Sequence, residues 1–108
     1  MAHTYKNSKV DLSSTSDTVL YTVPAATTSI VKSILVSNDD TSNACHITVT
    51  LLNTSNTVFS LFKEKNITAK TTEELLTHPM VMTTDEELKV QAQYAEDLHV
   101  VCSYLEVT

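Results

Sequence analysis

The feature that most constrains this chain is a series of short segments rich in threonine and valine, separated by clusters of turn-forming residues. Segments 19–23, 30–38, 45–53 and 57–65 follow one another, and the gaps between them are rich in Ser, Thr, Asn, Asp and Pro. Strands that recur every ~8–12 residues with turn signals between them are typical of all-β sandwiches and barrels. We therefore predict an all-β fold, an antiparallel β-sandwich that is jelly-roll-like and has about eight or nine strands.

The pattern predicts a single domain over residues 1–108, in which residues 1–17 form either an arm or an edge strand. The clearest two-residue alternation runs from Cys45 to Leu51. Residues 67–76 fit a short helix or a strand, and the strand is favoured. The predicted strands are Tyr5–Leu12, Thr18–Val23, Ile30–Ser37, Cys45–Leu51, Thr57–Lys65, Ile67–Leu76, Met80–Met82, Leu88–Gln93 and Leu98–Val107.

The chain contains no glycine. This excludes the glycine-rich phosphate loop, the dinucleotide fingerprint and the nucleophile elbow together. Positions with positive φ must then be filled by Asn or Asp, which tolerate the left-handed region best after glycine. The candidates for those positions are Asn38, Asp39, Asp40, Asn43, Asn53, Asn56 and Asp85.

Charge and hydropathy exclude two classes of partner. The net charge is −6 and no residue is arginine, so a nucleic-acid surface built from clustered Lys and Arg is not expected. No apolar run approaches ~20 residues, so no membrane contact is expected. The first residues lack the apolar core of a signal peptide, which indicates synthesis in a reducing cytoplasm.

The residue types that hold metals or carry catalysis occur without the spacing such sites need. Cys45 and Cys102 lie in predicted strands and are interpreted as buried free thiols, with a disulfide between them as the alternative. Neither the histidines nor the acidic turn at 85–87 has ligand spacing, so no metal, cofactor or catalytic residue is assigned. The four histidines are His3, His46, His78 and His99.

Two predicted strands are apolar on both faces, around Ile34–Val36 and His99–Val101. One face must cover the core, and the other is covered either by loops and the N-terminal segment or by another subunit. The interface candidates are Ile34, Val36, Val100 and Tyr104. The expected core residues are Leu51, Phe59, Ile34, Val90 and Leu105.

Three segments carry a resemblance to a known family. They are Val19–Asn38 (VLYTVPAATTSIVKSILVSN), Leu88–Ala92 (LKVQA) and Val100–Glu106 (VVCSYLE). Together they resemble small virion structural proteins of tailed bacteriophages. That family usually carries glycine after the VPA motif and in the turn before KVQA, where this chain has Ala26 and the acidic turn at 85–87.

The resemblance implies a non-enzymatic subunit of a bacteriophage virion, assembled in the host bacterial cytoplasm. Capsid decoration is the favoured role, ahead of a tail or neck component. The expected partners are other virion proteins, such as the major capsid protein, and further copies of the chain. A carbohydrate- or receptor-binding module is the alternative from another class, with Tyr94 as the candidate ligand contact. A small hydrolase is disfavoured by the missing catalytic motifs.

Overall fold

The computed structural model describes residues 2–108, and within that range the chain forms nine strands and no helix. The strands are β1 (His3–Asp11), β2 (Thr18–Thr22), β3 (Thr28–Asn38), β4 (Cys45–Leu52), β5 (Val58–Ile67), β6 (Thr72–Glu74), β7 (Met80–Met82), β8 (Glu87–Ala92) and β9 (Leu98–Val107).

The strands form two antiparallel sheets that pack face to face. Sheet A has the order β1-β9-β3-β6, with β7 also paired to β3, and sheet B has the order β2-β8-β4-β5. Sequential strands alternate between the sheets up to β4, and the last two strands return to the middle of each sheet. This connectivity is that of a jelly roll, so the predicted fold class is confirmed.

The strand at the far edge of sheet A is split into β6 and β7, and the interruption lies opposite the bulge of β3 at Lys32. The bulge disturbs the backbone ladder near Ile34. The Glu74 carboxylate takes over there: it accepts hydrogen bonds from the Ile34 N–H at 2.8 Å and the Leu76 N–H at 3.1 Å, and from the Ser33 hydroxyl. A side chain thus completes the edge where the backbone alone does not.

Of the predicted strand 67–76, Ile67 is the last residue of β5, and only residues 72–74 form a further strand, β6. Lys70 has a φ of 59°, and the Thr71 hydroxyl donates to the Thr68 carbonyl at 2.6 Å. A tight turn therefore replaces the first half of that strand. The Thr-rich sequence did not reveal it, because threonine is common in both turns and strands.

The core lies between the two sheets and consists mainly of Val, Ile, Leu and Met side chains. Ile34 and Val90 are fully buried as predicted, while Leu51 and Leu105 are only partly buried. Phe59 was predicted inside and is 50% exposed, because it lies at the start of the edge strand β5. Further along β5, Phe62 opposite Val49 packs against the core in its place.

Positive φ angles occur at six described residues, none of them glycine: Ala26, Asn56, Glu64, Lys70, Asp85 and Glu96. Of the seven Asn and Asp candidates, Asn56 and Asp85 are confirmed and the other five are wrong. Ala26 and Asp85 occupy the two turns where the resembling family carries glycine. The backbone at both positions is therefore in the left-handed region without glycine, which costs roughly 1–2 kcal/mol at each position.

Both cysteines are free and buried, as predicted. Cys102 lies on the inner face of β9, and burial raises the pKa of its thiol to about 11. A thiol held in its neutral form is a weak nucleophile and a weak metal ligand. Cys102 therefore acts as a small core residue.

Val100 and Val101 provide a matched test of the inner and outer faces of β9. Val100 is fully buried and Val101 is only partly buried on the outer face. We expect Val100→Ala to lower the free energy of unfolding by about 2 kcal/mol, since two buried methyl groups are lost. Val101→Ala should cost less than about half of that. Urea unfolding of both variants measures the difference, and equal losses would contradict the assigned faces.

Candidate interaction surfaces

The four interface candidates lie in the core between the sheets. Ile34, Val36 and Val100 are completely buried, and Tyr104 is 5% exposed. They are therefore core residues in this fold, and the prediction that they contact another subunit is wrong. The outer faces of β3 and β9 do carry apolar residues, but those residues alternate along each strand with the buried ones that were predicted.

The outer face of sheet A carries an apolar row that crosses four strands. Tyr5 of β1 lies opposite Leu105 of β9, which lies opposite Ile30 of β3, which lies opposite Val81 of β7. Tyr5 and Val81 are 74% and 60% exposed, and the two central residues are partly buried. We call these four residues the apolar row.

The outer face of sheet B is more polar along its two central strands, and its exposed apolar residues, Val19 and Val58, lie on the two edge strands. Thr48 lies opposite Gln91, Thr50 opposite Lys89, and Leu52 opposite Glu87. The two faces of the sandwich therefore differ in the chemistry they offer to a partner. Apolar side chains exposed in a continuous row favour contact with another protein surface.

A polar network lies on the inner face of β9 at one end of the sandwich. Glu106 is 6% exposed, and its carboxylate accepts a hydrogen bond from the Tyr21 hydroxyl at 2.7 Å. Its other oxygen lies 2.9 Å from Lys6 Nζ. The Tyr21 ring stacks on Tyr104 with ring centroids 3.9 Å apart, and the Tyr104 hydroxyl is hydrogen-bonded to Ser8 at 2.8 Å.

The network keeps Glu106 ionised. Burial by itself raises the pKa of this carboxyl group, but the hydrogen bonds from Tyr21 and Lys6 and the Lys6 charge outweigh it, so the net pKa is lowered. The same contacts raise the pKa of Lys6, chiefly through its hydrogen bond to Glu106. The pKa of Tyr21 is raised well above its ordinary value, mainly by burial.

Tyr94, the predicted ligand contact, lies in an open groove of about 500 Å³ at one end of the sandwich. Its ring is 50% exposed, and its hydroxyl accepts a hydrogen bond from Gln93 Nε2 at 3.2 Å. The other side chains that line the groove come from two loops, 39–44 and 93–97: Asp40, Asn43, Ala44, Ala95 and Asp97. The structure thus brings the tyrosine together with carboxylate and amide groups that are distant in sequence.

The two aspartates of the groove titrate differently. The N–H groups of Ser42 and Asn43 donate to Asp40 Oδ1 at 2.8 Å and 3.0 Å and lower the pKa of Asp40. Desolvation, followed by the charge of Asp40, raises the pKa of Asp97. The groove therefore offers one firmly ionised acceptor beside a carboxyl group that takes up a proton more readily.

The described residues include no group of three or more His, Cys, Asp or Glu side chains placed to hold a metal ion. Residues 2–108 also contain no helix that could cross a membrane.

Comparisons with known proteins give similarity at the level of fold. No family model matches the chain, and no curated protein matches it in sequence. A chain of the T13 particle of infectious bursal disease virus superposes with a TM-score of 0.59 at 8% identity, over 96% of this chain and 30% of that one. A mutant VP2 protein of the same virus, in T=1 particles, gives a TM-score of 0.52 at 10% identity, over 96% of this chain and 31% of that one.

This chain thus spans less than a third of the length of the viral chains that it resembles. At these identities the similarity shows the two-sheet jelly roll and nothing finer.

Sequence reasoning missed two features of these surfaces. The sequence did not reveal the apolar row, because Leu105 is expected in the core and Ile30 lies in a strand that is apolar on both faces. The Glu106 network was missed because a carboxylate in an alternating strand is normally assigned to the solvent face. The only signal in the sequence is a lysine on the strand that pairs with β9. It becomes informative only once the register of that pairing is known.

The network predicts a pH-dependent contribution of Glu106 to stability. A carboxyl group with a lowered pKa in the folded state stabilises the fold above its unfolded value near 4.5, and this stabilisation is lost as the pH falls through the folded value. We expect Glu106→Gln to lower the unfolding midpoint at pH 7 by about 5 °C.

The same variant should show a weaker decline in stability than the wild type below pH 4.5. Thermal unfolding followed by circular dichroism over this pH range measures both effects. Glu96→Gln, which alters an exposed carboxylate, is the control and should follow the wild type. Parallel pH curves for the wild type and Glu106→Gln would contradict the assigned role.

Proposed function

We propose that the protein is a non-enzymatic structural subunit of a bacteriophage virion, and that it decorates the outer surface of the capsid. The observation that carries the proposal is the apolar row on sheet A, set against the polar outer face of sheet B. One sandwich face suited to a protein contact and one suited to water is the arrangement that a surface-bound subunit needs.

Two further observations support a virion role. The jelly roll superposes on chains from virus particles, and the segments around Val19–Asn38 and Val100–Glu106 resemble small virion proteins of tailed phages. The partner proposed for the apolar row is the major capsid protein. A tail or neck protein is the alternative partner, since a subunit at that position needs the same kind of face.

The charge of the chain favours an outer position on the particle. Its net charge of −6 would be repelled by packaged DNA, which carries about one negative charge per 1.7 Å of duplex. An acidic outer surface also keeps a protein soluble when many copies are displayed together.

A second candidate function is recognition of a carbohydrate or receptor through the Tyr94 groove. The specific observation in its favour is that a half-exposed aromatic ring shares a groove with Asp40, Asn43 and Asp97. An aromatic face packs against the C–H groups of a sugar ring, while carboxylates and amides accept and donate hydrogen bonds to its hydroxyls.

A matched pair of valines tests the apolar row as the docking face. Val81 on sheet A and Val58 on sheet B are both 60% exposed. We expect Val81→Glu to reduce incorporation into particles at least about tenfold, since a charge would be buried at the contact. Val58→Glu should be incorporated like the wild type.

Incorporation is measured by gel densitometry of purified virions, scaled to the major capsid protein, with the unfolding midpoint of each variant as a folding control. Hundreds of copies per particle are expected for decoration. About a dozen or fewer would refute decoration and favour the tail or neck, and complete absence from virions would refute the virion role.

The Tyr94 groove has its own matched control, because Tyr94 and Phe59 are both 50% exposed. If the groove binds glycans, Tyr94→Ala should weaken a glycan-array signal about tenfold, whereas Phe59→Ala should leave it unchanged. The absence of any glycan signal for the wild type, or equal losses in both variants, would exclude the groove as a glycan site.

A further inference from the structure

The outer edge of β1 is the one sheet edge in residues 2–108 that is both long and regular. β1 pairs with β9 over nine consecutive residue pairs, His3 with Val107 through Asp11 with His99, without a register shift. Its opposite edge faces no other strand in the described chain. A long, regular and unpaired edge is a template for pairing with another strand.

The other edges are interrupted in ways that oppose such pairing. β5 has two register shifts and a positive φ at Glu64, β2 is five residues long and has its own register shift, and β6 and β7 are three residues each. Bulges and short strands are the usual means by which proteins block edge-to-edge association. The contrast singles out β1.

The backbone of β1 shows which of its residues are available at the free edge. The Ala2 and Thr108 backbones exchange hydrogen bonds at 3.0 Å and 3.3 Å, and the Leu12 N–H donates to the Leu98 carbonyl at 3.0 Å. In an antiparallel ladder, bonded and non-bonded pairs alternate. The even-numbered residues therefore bond to β9, and the odd-numbered residues direct their N–H and C=O groups away from it.

This alternation limits the ways in which two copies of β1 can pair. A two-fold antiparallel pair needs odd-numbered residues opposite odd-numbered residues, so that their backbone groups meet. The register centred on Asn7 uses the whole strand, and places His3 opposite Asp11 of the second copy and Tyr5 opposite Lys9. Shifting by one allowed step places either Lys6 opposite Lys6 or Tyr5 opposite Asp11, and shortens the overlap.

The register centred on Asn7 leaves no like charges directly opposite each other. At both ends of the strand pair His3 meets Asp11, whose carboxylate also lies 3.2 Å from His99 of its own copy. Tyr5, which is 74% exposed, meets a lysine that its ring attracts. Lysine on an edge strand often prevents pairing. Here Lys6 is already neutralised by Glu106 at 2.9 Å, and Lys9 gains an aromatic partner in the second copy.

We propose that two copies of the chain form a two-fold dimer through the free edges of β1, in antiparallel register about Asn7. The pairing adds about ten backbone hydrogen bonds and joins the two A sheets into one continuous sheet. At the junction, the apolar row of each copy ends at Tyr5, which faces Lys9 of the other copy. Val101 lies next to that lysine on β9. The inference rests on the proposed function only for the biological role of the dimer, because the dimer itself is expected of the purified protein alone.

Charge exchange between two variants tests both the edge and the register. Sedimentation velocity of the wild type should show a dimer whose fraction rises with concentration between about 1 µM and 1 mM. His3→Asp places like charges opposite each other at both ends and should weaken the dimer about tenfold. Asp11→Lys removes the carboxylate opposite His3 and should also weaken the dimer, with its unfolding midpoint reporting the loss of the contact with His99. An equimolar mixture of the two variants places opposite charges together at one end and the native pair at the other, and should restore dimerisation.

The matched control is His78→Asp, which makes the same change at an exposed histidine outside the strands and should dimerise like the wild type. The unfolding midpoint of each variant confirms that it is folded. A wild type that stays monomeric up to about 1 mM overturns the proposal. A dimer that His3→Asp leaves unchanged, or that the mixture does not restore, overturns the assigned edge and register.

A cross-link provides a second and independent readout. Asn7 lies on the proposed two-fold axis, where paired Cα atoms are ~5.5 Å apart, within the range that a disulfide spans. Mild oxidation of Asn7→Cys should therefore give a covalent dimer, whereas Ser14→Cys in the exposed turn should not. The native thiols are buried and do not compete. Equal cross-linking of both variants would count against the axis at Asn7.

Failure of this inference can be told apart from failure of the proposed function. A dimer in solution together with absence from virions retains the β1 contact and rejects the virion role. A monomer in solution that is present in virions rejects the β1 contact and retains the role.

Discussion

The contact of Glu106 with Lys6 and Tyr21 links the first, second and last strands and joins the two sheets at one end of the sandwich. It holds a carboxylate on the inner face of β9, which also carries Val100, Cys102 and Tyr104. β9 lies between β1 and β3, so its orientation sets theirs through the shared ladder. Leu105 and Ile30 lie on the opposite, outer face, where they form the centre of the apolar row.

The same contact links the N-terminal strand to the core. β1 contributes few buried side chains of its own, and its residues are largely exposed. Its attachment comes from the continuous ladder with β9 and from Lys6 and Ser8, which reach the Glu106 and Tyr104 groups. β1 therefore keeps a regular backbone without the bulges that the other edge strands carry, and this regularity leaves its outer edge suited to pairing.

The two outer faces and the loop groove divide the surface by chemistry. The apolar row suits a protein contact, sheet B suits solvent, and the groove at Tyr94 combines an aromatic ring with hydrogen-bonding groups. These regions lie on separate parts of one small sandwich, so occupation of one leaves the others accessible. A subunit that binds a particle through sheet A would still present its loops and sheet B outward.

The sequence by itself determined the fold class and most strand positions, because two-residue alternation and turn clusters are local properties of the chain. Met80–Met82 and Leu98–Val107 were predicted with the observed bounds. The jelly-roll pairing also agrees with the prediction, and the burial of both cysteines follows from their apolar neighbours. The positive φ angles at Ala26, Glu64, Lys70 and Glu96 were not predictable in this way, since those residue types seldom adopt them.

Only the tertiary structure decided which face of β3 and β9 is buried. Both strands are apolar on both sides, so the two-residue alternation does not indicate which side faces the core. In β3, the bulge at Lys32 also changes which alternate residues face inward. The ion-pair partner of Glu106, Lys6, lies near the other end of the chain, on β1. Its distance depends on the pairing of the first strand with the last, which no local pattern encodes. The pairing of β3 with β9, also long-range, places the loop of Tyr94 beside that of Asp40, and the pairing of β1 with β9 leaves the other edge of β1 free.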